Sequence, residues 1–306
     1  MSYRFRRPTQ EDLSALIEHR RALALADFDD EDDPTEYLTT LFKVLDLERD
    51  AWLVEDDEGA LVAAGAVRVR HPTRIRTFSG VLPEARGQGI GSELLAKIEE
   101  RARELAQDAP EADEVWLGVD AASSNEAARR LFESRGYEHI RFFWKMGIDL
   151  DEEPPEPEWP EGIRLERARR GEERVVFDAS EEAFQDHWDH HPHEYDEWRT
   201  WMVDTEFYDP SLWLLSRDGD EIAGLSLLFI DPHEGWVGVL GVRRPWRKRG
   251  LGRALLLASF HELRRRGKPR ASLGVDAANP TGATRLYENA GMRVISEVAA
   301  YRKRVR

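Results

Sequence analysis

Two copies of one short pattern carry most of the chemistry in this chain. Arg247-Lys248-Arg249-Gly250-Leu251-Gly252 and Arg86-Gly87-Gln88-Gly89-Ile90-Gly91 share the spacing Arg-x-x-Gly-x-Gly. Each follows an apolar segment that reads as a strand, closing on Gly241-Val242 or Gly80-Val81, and each runs straight into amphipathic helical sequence. A strand that hands over to a helix in this way leaves several backbone N–H groups without intrahelical partners and adds the positive end of the helix dipole. Phosphate binds at such points. The glycines at 250 and 252 keep side chains away from an approaching pyrophosphate. Arg247, Lys248 and Arg249 reverse the sign of a chain that has 60 acidic and 44 basic residues and a net charge of −16. One copy reads equally well as a helix start with a solvated basic turn; the repetition favours the anion site. A Rossmann fingerprint needs a three-glycine spacing absent from both turns, and a Walker A loop needs a Gly-Lys-Ser/Thr ending that is also absent.

The elements that must position these turns repeat as well. Leu117-Gly118-Val119-Asp120-Ala121-Ala122 recurs as Leu273-Gly274-Val275-Asp276-Ala277-Ala278, and Leu131-Phe132-Glu133 with Gly136 recurs as Leu286-Tyr287-Glu288 with Gly291. A proline- and acid-rich stretch at 149–161 has no apolar period and reads as a linker between residues 1–148 and 162–306. Each half opens with a short strand, near 3–7 and near 163–167. Helical sequence follows, with Leu13, Leu16 and Ile17 at helical spacing. In the second half, strands at 212–216 and 222–230 flank Asp218-Gly219, a pair that favours a hairpin turn. A strand at 236–242, the basic turn, a helix to about 266, a strand at 271–275, a helix over about 281–289 and a closing strand near 294–304 complete the order. Mixed α/β with one central sheet is the economical packing.

With these elements in place, the sequence resembles the GNAT family of acetyl-coenzyme-A-dependent N-acetyltransferases. The resemblance rests on Val-x-x-x-x-Arg-x-x-Gly-x-Gly after a fourth strand, a fifth strand ending in Asp, then Asn and Leu-Tyr-Glu-x-x-Gly. It covers both halves, hence nearly the whole chain, and the tandem arrangement resembles mycothiol synthase and its relatives. It implies two GNAT-like domains, each a mostly antiparallel sheet flanked by helices with a splayed cleft for acetyl-coenzyme A. The backbone of Arg247, Lys248, Arg249, Gly250, Leu251 and Gly252 would hold the pyrophosphate. Leu240 and Val242 would pair with the pantetheine arm, and Asn279 would contact the coenzyme. Asn279 also reads as a helix N-cap before Pro280, and the two roles are compatible. The matching first-half residues are Val81, Arg86, Gly87, Gln88, Gly89, Gly91 and Asn125. Tyr287 stands where the family supplies a proton to the departing thiolate, whereas the first half has Phe132 there. Turnover is therefore expected in the second half, with the first half catalytically impaired. Tyr287 could also be a helix residue with a satisfied hydroxyl. The family's frequent basic carboxylate falls at Trp236. Glu234 lies two residues earlier and reads either as the general base or as a loop acid, and its first-half counterparts are Thr73 and Ile75.

Between 178 and 197 the chain carries eight acids, four histidines and no Lys or Arg. By position this segment resembles the family's acceptor-binding helices. Phe184, Asp186, His187 and Trp188 are the candidate contacts, with Trp188 or Trp198 stacking on a small cationic amine. The alternative is a solvated helix burying Phe184 and Trp188 at i, i+4. His187, His190, His191 and His193 match no strong zinc spacing, so no metal is expected. The run at 27–34 reads as a mobile, solvated acidic loop.

The acidic balance disfavours nucleic acid. No apolar run reaches the length of a bilayer and the start lacks a secretory pattern, so a cytoplasmic protein without membrane partners is expected. Cysteine is absent, which excludes disulfides and thiolate chemistry. The chain could be a monomer or a homodimer. The competing reading to an N-acetyltransferase is a non-catalytic acyl-coenzyme-A sensor or partner-binding module.

Overall fold

The computed structural model describes all residues of 1–306 except Met1, Asp32, Glu111, Ala112, Asp189, Pro280 and Thr281. In chain order the strands are β1 (Arg4–Arg6), β2 (Ala51–Glu55), β3 (Leu61–His71), β4 (Arg74–Val81), β5 (Trp116–Ala122), β6 (Glu138–Asp149), β7 (Ile163–Arg167), β8 (Trp213–Asp218), β9 (Glu221–Ile230), β10 (Gly235–Val242), β11 (Arg270–Asp276) and β12 (Arg293–Arg304). The helices are α1 (Leu13–Phe28), α2 (Thr35–Val44), α3 (Leu47–Asp50), α4 (Ile90–Leu105), α5 (Glu126–Ser134), α6 (Glu173–Phe184), α7 (Tyr195–Met202), α8 (Leu251–Arg265) and α9 (Ala283–Asn289).

Two compact units form, and they do not follow the linear repeat. The first comprises residues 1–143 and 296–306, the second residues 144–295. In the first unit the strand order is β1-β2-β3-β4-β5-β12. The pairs β1/β2, β2/β3 and β3/β4 are antiparallel, β4/β5 is parallel, and β12 closes antiparallel on β5 with Tyr301 opposite Val119. In the second unit the order is β7-β8-β9-β10-β11-β6, with β10/β11 the corresponding parallel pair. A repeat shows which strands exist; it does not show which sheet a terminal strand joins. That choice is made by burial: Ala299 and Tyr301 lie in the first unit's core with Phe132 and Val119.

The parallel pair opens a cleft in each unit. Strands β4 and β5 are registered at Arg74↔Trp116, Ile75↔Leu117 and Arg76↔Gly118, and β10 and β11 at Gly235↔Ala271 and Trp236↔Ser272. Beyond those residues the strands run on without further mutual register, to Val81 and Ala122 and to Val242 and Asp276. An irregularity between Val237 and Val239 turns β10 away; at Gly238 a Cβ would lie 2.4 Å from the Phe229 ring, so only glycine fits the bend. Behind each cleft a helix seals the sheet. Leu94, Leu95 and Ile98 of α4 pack on the first sheet, and Leu256, Leu257, Phe260 and Leu263 of α8 on the second, all buried. Each carries the apolar stripe that a sheet-covering helix requires.

Candidate active site

Both clefts are built around the basic turn. Helix α8 starts after Gly250 at φ +83° and α4 after Gly89 at φ +87°, and neither start has a side-chain cap. The first backbone bonds of α8 run from Arg253 and Ala254 to the Gly250 carbonyl. Among the described residues, the amides of Lys248 through Gly252 find no acceptor, and neither do those of Gly87 through Gly91. A row of unused donors at the positive end of a long helix suits an anion. The second cleft has a volume of about 520 Å³ and the first about 430 Å³, within the usual range for a cofactor-sized ligand.

The expected residues distribute as follows. Leu240, Val242, Arg247, Lys248, Gly250, Leu251 and Gly252 line the second cleft together with Tyr287, Phe184, Asp186 and His187. Val81, Arg86, Gly87, Gly89, Gly91 and Asn125 line the first, with Phe132. Arg249, Gln88, Asn279, Trp188 and Glu234 lie outside these linings.

Several side chains have other work than the sequence implied. The Arg247 guanidinium donates from Nε to the Val242 carbonyl at 2.9 Å, from Nη2 to the Ala183 carbonyl at 3.0 Å, and from Nη1 to Asp186 at 2.6 Å. It braces the turn against β10 and α6, so phosphate is left to the amides. Arg86 repeats the brace with Nε on the Val81 carbonyl at 2.9 Å and Nη2 on Asp27 at 2.9 Å. This corrects the reading of 27–34 as solvated: α1 extends through Asp27, and Asp33 is held by Arg21 at 2.8 Å. The signal was present, since each acid precedes its arginine by a similar interval, 59 and 61 residues.

The acidic acceptor segment is likewise largely neutralised. Asp186 is held by Arg244 and Arg247, which keep its carboxyl well below the usual range. Glu182 pairs with Arg243 at 2.7 Å, Asp178 with Arg174 at 3.1 Å and Glu181 with His193 at 2.8 Å. Helix α6 ends at Phe184, so Trp188 does not share a helix face with it; Trp188 is 40% exposed. Trp198 packs on Phe177 and Trp213, with ring centres 5.3 and 5.7 Å away. What faces the cleft is Phe184 packed at a tilt against His187, ring centres 4.5 Å apart, and burial pushes the His187 imidazole down.

Tyr287 sits on α9 in the cleft wall, buried, and burial pushes its phenol up to about 12. Phe132 fills the matching place on α5 and packs against Tyr137 and Tyr301. Of the two readings of Glu234, general base or structural acid, its surroundings favour the second. Glu234 precedes β10, is 4% exposed, forms an ion pair with Lys145 Nζ at 2.7 Å and accepts a hydrogen bond from Ser272 Oγ at 2.6 Å. Its charge is paired outside the cleft lining, and the cation that pairs with it comes from β6, outside the linear second half. Asn125 caps α5, accepting from the Ala128 amide at 3.1 Å. The amide of Asn279 donates to the Asp276 carbonyl at 3.0 Å, while its proposed cap through Pro280 lies outside the described residues; α9 is described from Ala283, after Gly282.

Comparison with known proteins agrees with this geometry. The family model for the acetyltransferase (GNAT) family matches residues 15–137 and again 174–292. The chain is 31% identical over 238 residues to mycothiol acetyltransferase of Thermobispora bispora, covering 73% of this chain and 74% of that one. It is also 31% identical to the protein of that name from Saccharopolyspora erythraea, covering 76% and 73%. Among solved structures it superposes on a GCN5-related N-acetyltransferase from Sphaerobacter thermophilus with a TM-score of 0.85 and 36% identity, covering 99% of this chain and 96% of that one. A tandem GNAT protein from the clavulanic acid biosynthesis pathway, 17% identical with a TM-score of 0.75 over 100% and 99% of the two chains, shares the fold. Among the described residues no helix is long and apolar enough to cross a membrane. The chain belongs to the GNAT family, as an acetyltransferase made of two tandem GNAT domains.

Proposed function

We propose that the protein moves an acetyl group from acetyl-coenzyme A to a primary amine of a small acceptor, that the chemistry takes place in the second unit, and that the first unit binds the coenzyme without turnover. The observation that carries this reading is the contrast at one position between two otherwise similar clefts: Tyr287 in the second, Phe132 in the first.

Acetyl-coenzyme A supplies a thioester that a neutral amine can attack, with a thiolate as leaving group. The chain's residues would do the rest. Amides of Lys248 through Gly252 receive the diphosphate, and the β10 edge at Leu240 and Val242, freed by the divergence from β11, offers backbone groups to the pantetheine in the manner of an added strand. Tyr287 keeps its proton at Oη because its phenol titrates near 12, so at neutral pH it remains a donor for the sulfur on which charge develops. His187, neutral for the same reason of burial, presents an imidazole to the acceptor side together with the Phe184 ring. Because Asp186 is held by two arginines, a cationic acceptor gains little from it, and the aromatic and imidazole wall is the better guide to the amine. Glu234 takes no part in the reaction.

The test is transfer of labelled acetyl from acetyl-coenzyme A to a panel of primary amines that includes amino sugars. Tyr287→Phe should lower kcat by about 10²-fold while leaving coenzyme binding unchanged. Full activity in that variant overturns the assignment of chemistry to the second unit. Tight binding with no transfer to any amine favours the non-catalytic sensor.

A further inference from the structure

The two clefts share a scaffold and differ in charge. At the apex of the turn the first is lined by Gly87 and the second by Lys248; in the first turn of the following helix the first is lined by Ser92 and the second by Arg253. The one arginine common to both, Arg86 or Arg247, is already bound by Asp27 or Asp186. Among the described residues, Lys248 and Arg253 have no ion-pair partner. The first cleft therefore offers amides alone, and the second offers amides with two uncommitted cations.

Backbone geometry singles out Lys248 further. It adopts φ +62°, where the first turn uses Gly87 at φ +75°. That region is unfavourable for lysine and costs glycine nothing. Packing does not demand the larger residue, since Lys248 is exposed, and nothing lies within 4 Å of a Cβ built at Gly87. What the lysine adds is a charge at the mouth of the cleft.

The amides already serve a diphosphate, so two further cations on the same wall match a ligand with more negative charge than a diphosphate carries. Coenzyme A has it in its ribose 3′-phosphate. Resting on the coenzyme reading above, we propose that Lys248 and Arg253 make the second cleft selective for the 3′-phosphorylated coenzyme, whereas the first cleft accepts the coenzyme with or without that phosphate. Selection of this kind is electrostatic and weakens with ionic strength.

Calorimetric titration of the full chain with coenzyme A and with dephospho-coenzyme A tests this, using the unaltered protein, the double variant Lys248→Gly with Arg253→Ser, and the single variant Ser92→Arg. In the unaltered protein one site should prefer coenzyme A by roughly tenfold at low salt. The double variant should reduce that preference to under about threefold by weakening coenzyme A much more than the dephospho ligand. Ser92→Arg should create a preference at the other site. Equal weakening of both ligands in the double variant would show that the cations serve the diphosphate, and survival of the preference would show that they serve neither; each result overturns the inference while leaving the coenzyme reading in place. Binding of neither ligand removes both.

Discussion

Tyr287 and His187 face one cleft, and a single cause moves them in opposite directions: desolvation favours the neutral form, so the phenol rises and the imidazole falls. Buried His19 on α1 carries the same effect into stability. Burial, assisted by Arg20, lowers its imidazole from 6.5 to about 4. The unfolded chain therefore takes up this proton first as pH falls, and stability is lost between about 6.5 and about 4 rather than gained. The loss should reach about 3 kcal/mol, and His19→Phe should flatten the dependence in denaturant unfolding followed across that range. An unchanged slope in the variant would place the titration elsewhere. At this scale the sequence was partly legible. Tyr287, Phe132 and the turn glycines stand where the motif spacing put them, because backbone-directed chemistry is written in local pattern. The roles of Asp186 and Glu234 were not legible, because a carboxylate's role depends on which cation reaches it, and Arg244 and Lys145 reach them across the fold.

Elements explain why the turn keeps its donors free. Strand β10 bends away from β11 after Trp236, and α8 begins at a left-handed glycine with no side-chain cap. Gly250→Ala places an L side chain at φ +83° with open space around it, so its whole effect is conformational. It should cost about 1 kcal/mol and weaken coenzyme binding by shifting the amides; an unfolding curve and a binding titration read the two separately. The Lys145–Glu234 pair joins β6 to the start of the same strand, with Glu234 buried and Lys145 largely so. Glu234→Ala removes the carboxylate of this buried ion pair and should destabilise by about 3 kcal/mol, yet the pH profile of kcat should keep its shape. A lost acid limb in that profile would restore Glu234 as the base. The strand, turn and helix were readable from periodicity and glycine spacing. Their divergence was not, because the register of a parallel pair is set by tertiary packing.

For the whole molecule, the decisive fact is how the units are made up. Residues 296–306 finish the first unit, where Tyr301 is 1% exposed and Lys303 pairs with buried Glu99 at 3.0 Å. Deleting 296–306 should therefore unfold the first unit, although the deletion falls at the opposite end of the sequence. Hydrogen exchange would report lost protection across 51–122. Retained protection there would show that β12 is dispensable. The repeat, the acidic stretch and the element order all announced a tandem. The exchange of closing segments was invisible, since both halves contain a suitable strand and sequence alone does not rank their partners.

Such mutual completion makes the tandem hard to take apart by inheritance. A gene fragment encoding residues 1–148 would lack the edge that seals its own sheet, and one encoding 162–306 would lack residues 144–149 that its sheet requires. Either fragment would start life with an open flank, so recombination that trades one half for a foreign domain would be selected against even if the foreign domain were a competent acetyltransferase. The two halves are thus free to diverge at single cleft positions, such as Tyr287 and Phe132, but remain bound to a common fate as a fold.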